Sequence, residues 1–298
     1  MAAVTNATST TSVVEVINSE FISNFIIEHQ RAPAFAEFVT DVRDASGTNS
    51  KVYAFPKWDG VAVGYSQSSG KTETDEIAAV EQTLTEVTCT AATVAARIGL
   101  SDEAISDSIP DQVQHAIMAL QAELREQAST DALSLYTSGT NSGGGFTGLS
   151  LTLERLGAAF AAYRALNPGA GRHVCVLHNA QMRDLRSSLR SANGGIFATD
   201  HGSSAAGGML DMAKLGFIAR YEGVELWESG LVPAASTDKV GAVYRAGRGG
   251  AIGMPVWWGM KVVGEREEKR LMTDVVGRIR YSSALVNDDA LVKIQSAA

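Results

Sequence analysis

The chain has 298 residues, 45% hydrophobic and 19% charged, and 25 Lys and Arg against 33 Asp and Glu leave a net charge of -8. That is apolar material for one large core or two smaller ones, and the absence of clustered basic residues argues against phosphate-tracking affinity for nucleic acid. Two cysteines, Cys89 and Cys175, supply no disulfide framework and no CxxC pair, and no apolar run reaches the ~18 residues of a membrane span.

Residues 1–12 are small and polar and read as a flexible arm, without the basic and apolar regions of a secretory signal. Ser12 and Glu15 form a capping box, and Val13, Val16, Ile17, Phe21, Phe25 and Ile26 follow at helical spacing until Pro33. Between 47 and 97 the period changes to that of strands. Lys51–Phe55, Gly60–Val63 and Glu86–Ala91 are strand candidates around a polar Gly64–Asp75, which predicts a long two-stranded arm. A hairpin of that kind is marginal alone in water and needs a surface to lie on.

The stretch from Ile98 to Leu149 is the most informative. A charged turn, Ser101-Asp102-Glu103, leads to Ser108, Pro110 and Asp111, which start a helix of about 25 residues, about 38 Å long. Val113, Ile117, Leu120, Leu124 and Ala128 form one narrow apolar stripe, so the helix should pack across a sheet rather than inside a bundle. It carries no catalytic-looking residue and leaves through a glycine-rich exit, Gly139–Leu149.

From Leu151 the order becomes helix (153–166), turn at Asn167-Pro-Gly, strand (173–177) and helix (180–190), then a Gly/Ser-rich loop over 191–208. Short strands follow at 224–227, 241–244 and 261–263, and a closing meander is expected at 274–281 and 291–294.

Chemical motifs do not assemble. Gly64-Tyr-Ser-Gln-Ser-Ser-Gly70-Lys71-Thr72 imitates a phosphate-binding loop but has five residues between its glycines instead of four. His29, His115, His173, His178 and His201 form no zinc pattern, and no G-x-S-x-G elbow is present. Gly247–Gly253 reads as close backbone approach or a bulge. No cofactor and no metal is therefore expected. Arg183, Arg186 and Arg190 fall on one helix face, either solvated or meeting acidic groups of another subunit. Glu265-Arg266 opens a mixed-charge run suited to ion pairs between subunits or to an exposed turn.

The order of these elements resembles the major capsid proteins of tailed bacteriophages, the Hong Kong 97-type fold, over nearly the whole chain. The resemblance is carried by Ala96–Glu103 with Asp107-Ser108, by Asp131–Thr140 with Phe146–Leu149, and by His173–Asn179 with Met182, Leu185 and Leu189. Tyr221–Trp227, Gly241–Tyr244, Gly250–Gly253, Val275–Tyr281 and Ala290–Ile294 add to it. It implies an α+β fold with an N-arm (1–46), an extended loop (47–97), a peripheral domain (98–150 and 261–298, spine helix about 109–135) and an axial domain (151–260). It also implies a non-enzymatic subunit of an icosahedral head shell, arranged as hexamers and pentamers around double-stranded DNA that is enclosed without sequence-specific binding. A portal and a separate scaffolding protein are expected partners, with no membrane; assembly is expected in the host cytoplasm. Some family members begin with a scaffolding segment that is later removed; retention of Met1 favours the separate protein. Some crosslink a Lys on the extended loop to an Asn, for which Lys71 and Asn287 are the analogous residue types. Candidate contacts between subunits are Lys57, Lys71, Glu73 and Asp75 on the arm, Arg183, Arg186 and Arg190 on the helix, and Glu265 and Arg266. The alternatives are an encapsulin-type bacterial compartment and, from another class, an ATP-binding α/β enzyme built on Gly70-Lys71-Thr72.

Overall fold

The structure, a computed structural model, describes residues 7–8, 40–48, 50–58, 84–107, 112–144, 146–193, 217–267 and 270–297. The expected helix at 13–26, the arm tip with Gly64–Thr72, the cap residues 108–111 and most of the 191–208 loop lie outside the described residues.

Two mixed sheets carry the fold. The first has the order β1 (Ala7–Thr8), β5 (Ala92–Ser101), β12 (Met272–Tyr281), β11 (Ile252–Glu267), β13 (Ala284–Leu285), and β2 (Asp41–Asp44) also pairs with β11. β1 runs parallel to β5 and β2 parallel to β11, while the other pairings are antiparallel. Strand alternation sends Val94, Ala96, Ile98 and Leu100 of β5 to one face, where they join Val275 and Ile279 of β12. Helix α2 (Gln112–Ser134) lies across this face.

The predicted stripe is the one that buries. Ala116, Leu120, Leu124 and Ala128 are buried at a spacing of four, with Val113 and Ile117 half-buried beside them. Each fully buried leucine contributes about 1.5–3 kcal/mol. The helix comes this close because Gly277 of β12 has no side chain: a Cβ there would stand 3.0 Å from Leu124 Cδ1 and 3.3 Å from Leu120 Cβ. The charged turn before it is itself helical, α1 (Asp102–Asp107), and Ser101 Oγ accepts the Ala104 N–H at 3.2 Å.

The second sheet has the order β14 (Leu291–Ala297), β10 (Asp238–Ala246), β6 (Arg172–Leu177), β8 (Val224–Glu228), β7 (Phe217–Tyr221), with β9 (Ala234–Ala235) beside β10. β6 and β8 run parallel and the remaining pairs antiparallel. Its strands read as nearly continuous apolar runs because both faces are covered. Cys175, Leu177, Val243 and Ile294 face α3 (Leu153–Ala165) and α4 (Asn179–Asn193), against Phe160, Tyr163, Met182 and Leu185. Thr152 caps α3 by accepting the Arg155 N–H. On the other face, Val174, Val176, Trp227, Ala242 and Tyr244 receive Leu133 and Tyr136 from the end of α2 and the 3-10 turn that follows it, Leu135–Ser138. The Tyr136 hydroxyl donates to the Tyr244 hydroxyl at 3.0 Å, and both side chains are inaccessible to solvent. Burial raises both phenols far above their ordinary range, so they stay neutral.

Three expectations change, and one strand is new. The closing strands 274–281 and 291–294 form no meander: β12 belongs to the first sheet, but β14 pairs with β10 in the second, through residues 291–297 and 238–244. Residues 92–97, read as part of the arm, pair with β12 instead of with the arm's first strand at 52–58. Residues 252–260, read with the axial part, begin β11 of the first sheet. A strand at 217–221 was not foreseen, because the short run Phe-Ile-Ala-Arg-Tyr shows no clean apolar–polar alternation. The Gly247–Gly253 stretch does bring backbones together: Gly247 and Gly249 have positive φ, and a Cβ on Gly250 would lie 2.4 Å from the Arg245 carbonyl oxygen. The bulges sit further along β11, between Val256 and Lys261.

Replacing Tyr136 by Phe leaves the buried Tyr244 hydroxyl without its donor and should cost about 1–3 kcal/mol in urea unfolding of unassembled subunits. Tyr136→Phe combined with Tyr244→Phe should cost less than the sum of the two single changes. Gly277→Val should lower the thermal midpoint more than either, because the added branch meets Leu120 and Leu124 directly.

Candidate assembly surfaces

The arm starts as β3 (Val52–Trp58) paired antiparallel to β4 (Leu84–Thr90), from Val52 opposite Thr90 to Trp58 opposite Leu84. Its base is tied to the body. Phe55 and Cys89 bury with Ala45 and Trp257, and Trp257 Nε1 donates to the Ser50 carbonyl at 2.8 Å. Gly253 of β11 makes room for the Phe55 ring, since a Cβ there would sit 2.6 Å from Phe55 Cζ. Past Phe55 and Val87 the burial stops: Pro56, Thr85, Glu86 and Leu84 are exposed. Pro56 suits a strand that lacks a further partner. The hairpin therefore leaves the body at this level.

The candidate contact residues divide by location. Lys57 Nζ lies 3.2 Å from Asp289 Oδ2, so it links the arm base to the loop before β14 within one chain. Lys71, Glu73 and Asp75 lie outside the described residues. On α4, Arg186 pairs with Glu228 at 2.9 Å and Arg183 lies 3.4 Å from Asp184, while the Arg190 side chain is outside the described residues. Arg266 bonds Asp102 at 2.9 Å, which joins β11 to the first turn of α1. Glu265 is exposed on β11, opposite Asp274. These positions do not converge on one site. They mark the arm base, the outer face of α4 and the far end of β11.

Other arginines are committed inside the chain. Arg97 pairs with Asp274 at 2.7 Å, and Arg172 and Arg220 grip Glu225 at 2.7 and 2.8 Å. Burial works against ionisation of the Glu225 carboxyl, but the hydrogen bonds from Arg172 and Arg220 outweigh it and hold its pKa below the ordinary value. Arg172 also stacks on Trp227 at 5.5 Å.

One cationic group was overlooked in the sequence. Arg278 and Arg280 of β12 lie over the exposed ring of Trp258, at 5.8 and 5.1 Å from its centre, and Lys261 is opposite Arg278 in register. Basic residues two apart in a strand, beside an aromatic on its neighbour, were the available signal.

No catalytic arrangement emerges among the described residues. Among the described residues, no group of three His, Cys, Asp or Glu is placed to hold a metal, and no helix is long and apolar enough to cross a membrane. Cys89 and Cys175 are buried and free, and burial pushes both thiols up. A cavity of about 750 Å³ opens between α2, β2 and β11; Leu124, Ala128, Met254 and Ile279 make its wall mainly apolar.

A model of the family described as phage capsid protein matches residues 85–294. Among solved structures, the chain is similar to the capsid of Ralstonia phage GP4, at TM-score 0.69 and 11% identity, over 94% of this chain and 95% of that one. It is equally similar to the capsid asymmetric unit of cyanophage Pam1, at TM-score 0.69 and 12% identity, over 100% of this chain and 99% of that one. The capsid of cyanophage P-SCSP1u follows at TM-score 0.65 and 14% identity, over 95% and 94%. No curated protein matches.

Because the Glu225 pKa is depressed on folding, its contribution to stability is complete above the unfolded value near 4.5 and is lost as pH falls through the folded one. Glu225→Gln should therefore flatten the acid limb of a stability-against-pH curve below about pH 4.5, measured by thermal unfolding. Gly253→Ala should displace Phe55 and raise proteolytic cleavage of the arm before the two sheets unfold.

Proposed function

Since the chain belongs to the phage capsid protein family, we propose that its work is done by surfaces and arms that interlock, with no catalytic step. It is a major capsid protein with the Hong Kong 97-like α+β fold, a structural subunit of the head shell, and its place is the virion. A thin shell gains stability when each subunit reaches across several boundaries, because arms add interface area beyond the side-by-side contact.

In this reading, residues 1–46 form an N-arm and the hairpin beginning at 47 is the extended loop, ending at Ala91 where the chain turns into β5. The first sheet with α2 is the peripheral domain. The second sheet with α3, α4 and β14 is the axial domain. The observation that carries the reading is the hairpin, buried at Phe55 and Cys89 and exposed beyond them, with 25 residues between β3 and β4. Lys71, Glu73 and Asp75 at its tip would meet a neighbouring copy. Arg183, Arg190 and Glu265 would do so from the body, while Lys57, Arg186 and Arg266 act first within the subunit.

Subunits would assemble in the host cytoplasm as hexamers and pentamers, with a separate scaffolding protein to set curvature and a portal at one vertex. Double-stranded DNA would be enclosed without sequence-specific binding. A net charge of -8 supports that arrangement, since an acidic wall does not hold phosphates tightly.

Deletion of residues 60–75 should leave a folded subunit with an unchanged far-ultraviolet spectrum, yet abolish stable shells in electron micrographs. Shells of normal yield and stability from that deletion would sink the extended-loop assignment.

A further inference from the structure

α4 starts at Asn179, directly after β6, and the residue between the two elements is His178. A helix start leaves backbone N–H groups without partners, and a side chain just before it supplies an acceptor. Here the imidazole does so. Nδ1 of His178 accepts the Ala180 N–H at 3.1 Å, and the His178 carbonyl accepts the Met182 N–H at 3.0 Å. Gln181 completes the exchange, because its Oε1 accepts the His178 backbone N–H at 3.0 Å. The pair is a capping box with histidine in the place of serine or threonine. A backbone N–H can only donate, so Nδ1 must keep its lone pair and the ring must be neutral.

The same glutamine reaches further. Its Nε2 lies within hydrogen-bond distance of the Lys239 carbonyl of β10, at 3.0 Å, and of the Ile294 carbonyl and Ser296 hydroxyl of β14, at 3.2 and 2.9 Å. Gln181 and Ser296 are inaccessible to solvent. Gly241 of β10 leaves the room for this, since a Cβ there would stand 3.0 Å from Gln181 Oε1. One buried side chain thus joins the start of α4 to the two strands at that edge of the second sheet. The surroundings oppose a charge on the ring that holds it. Burial, and then Lys239 of β10, lowers the His178 pKa below its ordinary value, and the positive end of the α4 dipole acts in the same direction. β8 brings Glu228 beside Leu177, but Arg186 holds that carboxylate at 2.9 Å. On α4 itself Asp184 lies 3.4 Å from Arg183, β14 presents the uncharged Ser296, and α3 shares with α4 the apolar cluster of Phe160, Met182 and Leu185.

We propose that His178 is a pH-sensitive clamp on the second sheet: neutral, it caps α4 and keeps Gln181 across β10 and β14; protonated, it sets a donor against the Ala180 N–H, and the first turn of α4 and the C-terminal strand loosen together. A histidine whose pKa is lowered on folding contributes stability that is complete above the unfolded value, near 6.5, and is lost as pH falls through the folded one. The other histidine on this strand behaves differently. His173 Nδ1 meets the Tyr163 hydroxyl at 2.7 Å, a contact in which either partner can donate, so a proton on His173 leaves the hydrogen bond in place. The clamp belongs to the fold of one subunit and does not depend on how copies meet.

Hydrogen exchange of the full-length, unassembled subunit tests this, read at about pH 8 and about pH 5 and corrected for the chemical exchange rate. In acid, residues 178–186 and 291–297 should lose protection about fivefold more than the rest of the second sheet, the size of a lost helix cap. His178→Asn caps with a carbonyl that does not titrate, so it should abolish that extra loss. His173→Asn should leave it in place. No extra loss in the parent chain, an equal loss in His178→Asn, or its disappearance in His173→Asn overturns the clamp. Should His178→Asn fail to fold, the titration of the His178 ring in the parent chain, followed by nuclear magnetic resonance, decides. A midpoint below that of the unfolded chain, in step with exposure of the Ala180 amide, supports the clamp. A midpoint at or above it, or one that leaves the Ala180 amide protected, overturns it.

Discussion

The seating of one helix end in a second core governs the rest of the molecule. α2 lies on the first sheet through Leu120 and Leu124, then carries Leu133 and Tyr136 into the apolar face of the second sheet. A hydroxyl pair and five buried neighbours on β6, β8 and β10 hold that end where water cannot compete for the bond. Ile252 of β11 and Leu285 of β13 join the same core, so the helix end adds to a direct apolar contact between the two sheets. With it, the orientation of the second sheet is set by the direction of a rigid helix, and the arm, which leaves from the side of the first sheet, inherits the same frame.

Much of this was legible because it depends on local spacing. The stripe from Val113 to Ala128 named the face that buries, and the narrowness of that stripe foretold a sheet beneath it. The continuous apolar run His173–Leu177 announced a strand covered on both sides. What was illegible is long-range. β14 looks like a neighbour of β12 because they are close in sequence, and nothing in Leu291–Ile294 says that its partner is β10, some 50 residues earlier. Ala92–Arg97 alternates like the arm and differs only in what it pairs with. The charged candidates were chosen by composition, which cannot tell an arginine that meets its own Glu228 from one left for another molecule.

That distinction organises the surface. Arg97, Arg172, Arg186, Arg220 and Arg266 all find acids within the subunit, each adding little energy where it is exposed but fixing a side chain in place. Against that background Arg278 and Arg280, which lie over Trp258 and meet no acid among the described residues, stand out. A protein whose activity is assembly would keep its specificity in such residues, because interactions satisfied at home have nothing to offer a neighbour.

The C-terminal strand has a mechanical meaning. β14 is zipped antiparallel to β10 over seven register pairs, yet it follows directly from β12 and β13 of the other sheet. Tension that draws the two sheets apart along the strand direction loads all seven pairs together, a shear geometry in which they must yield at once. A pull at right angles would instead unzip them singly, beginning at Leu291. Within the subunit, the pairing of β14 with β10 therefore resists shear along the strands better than peeling across them.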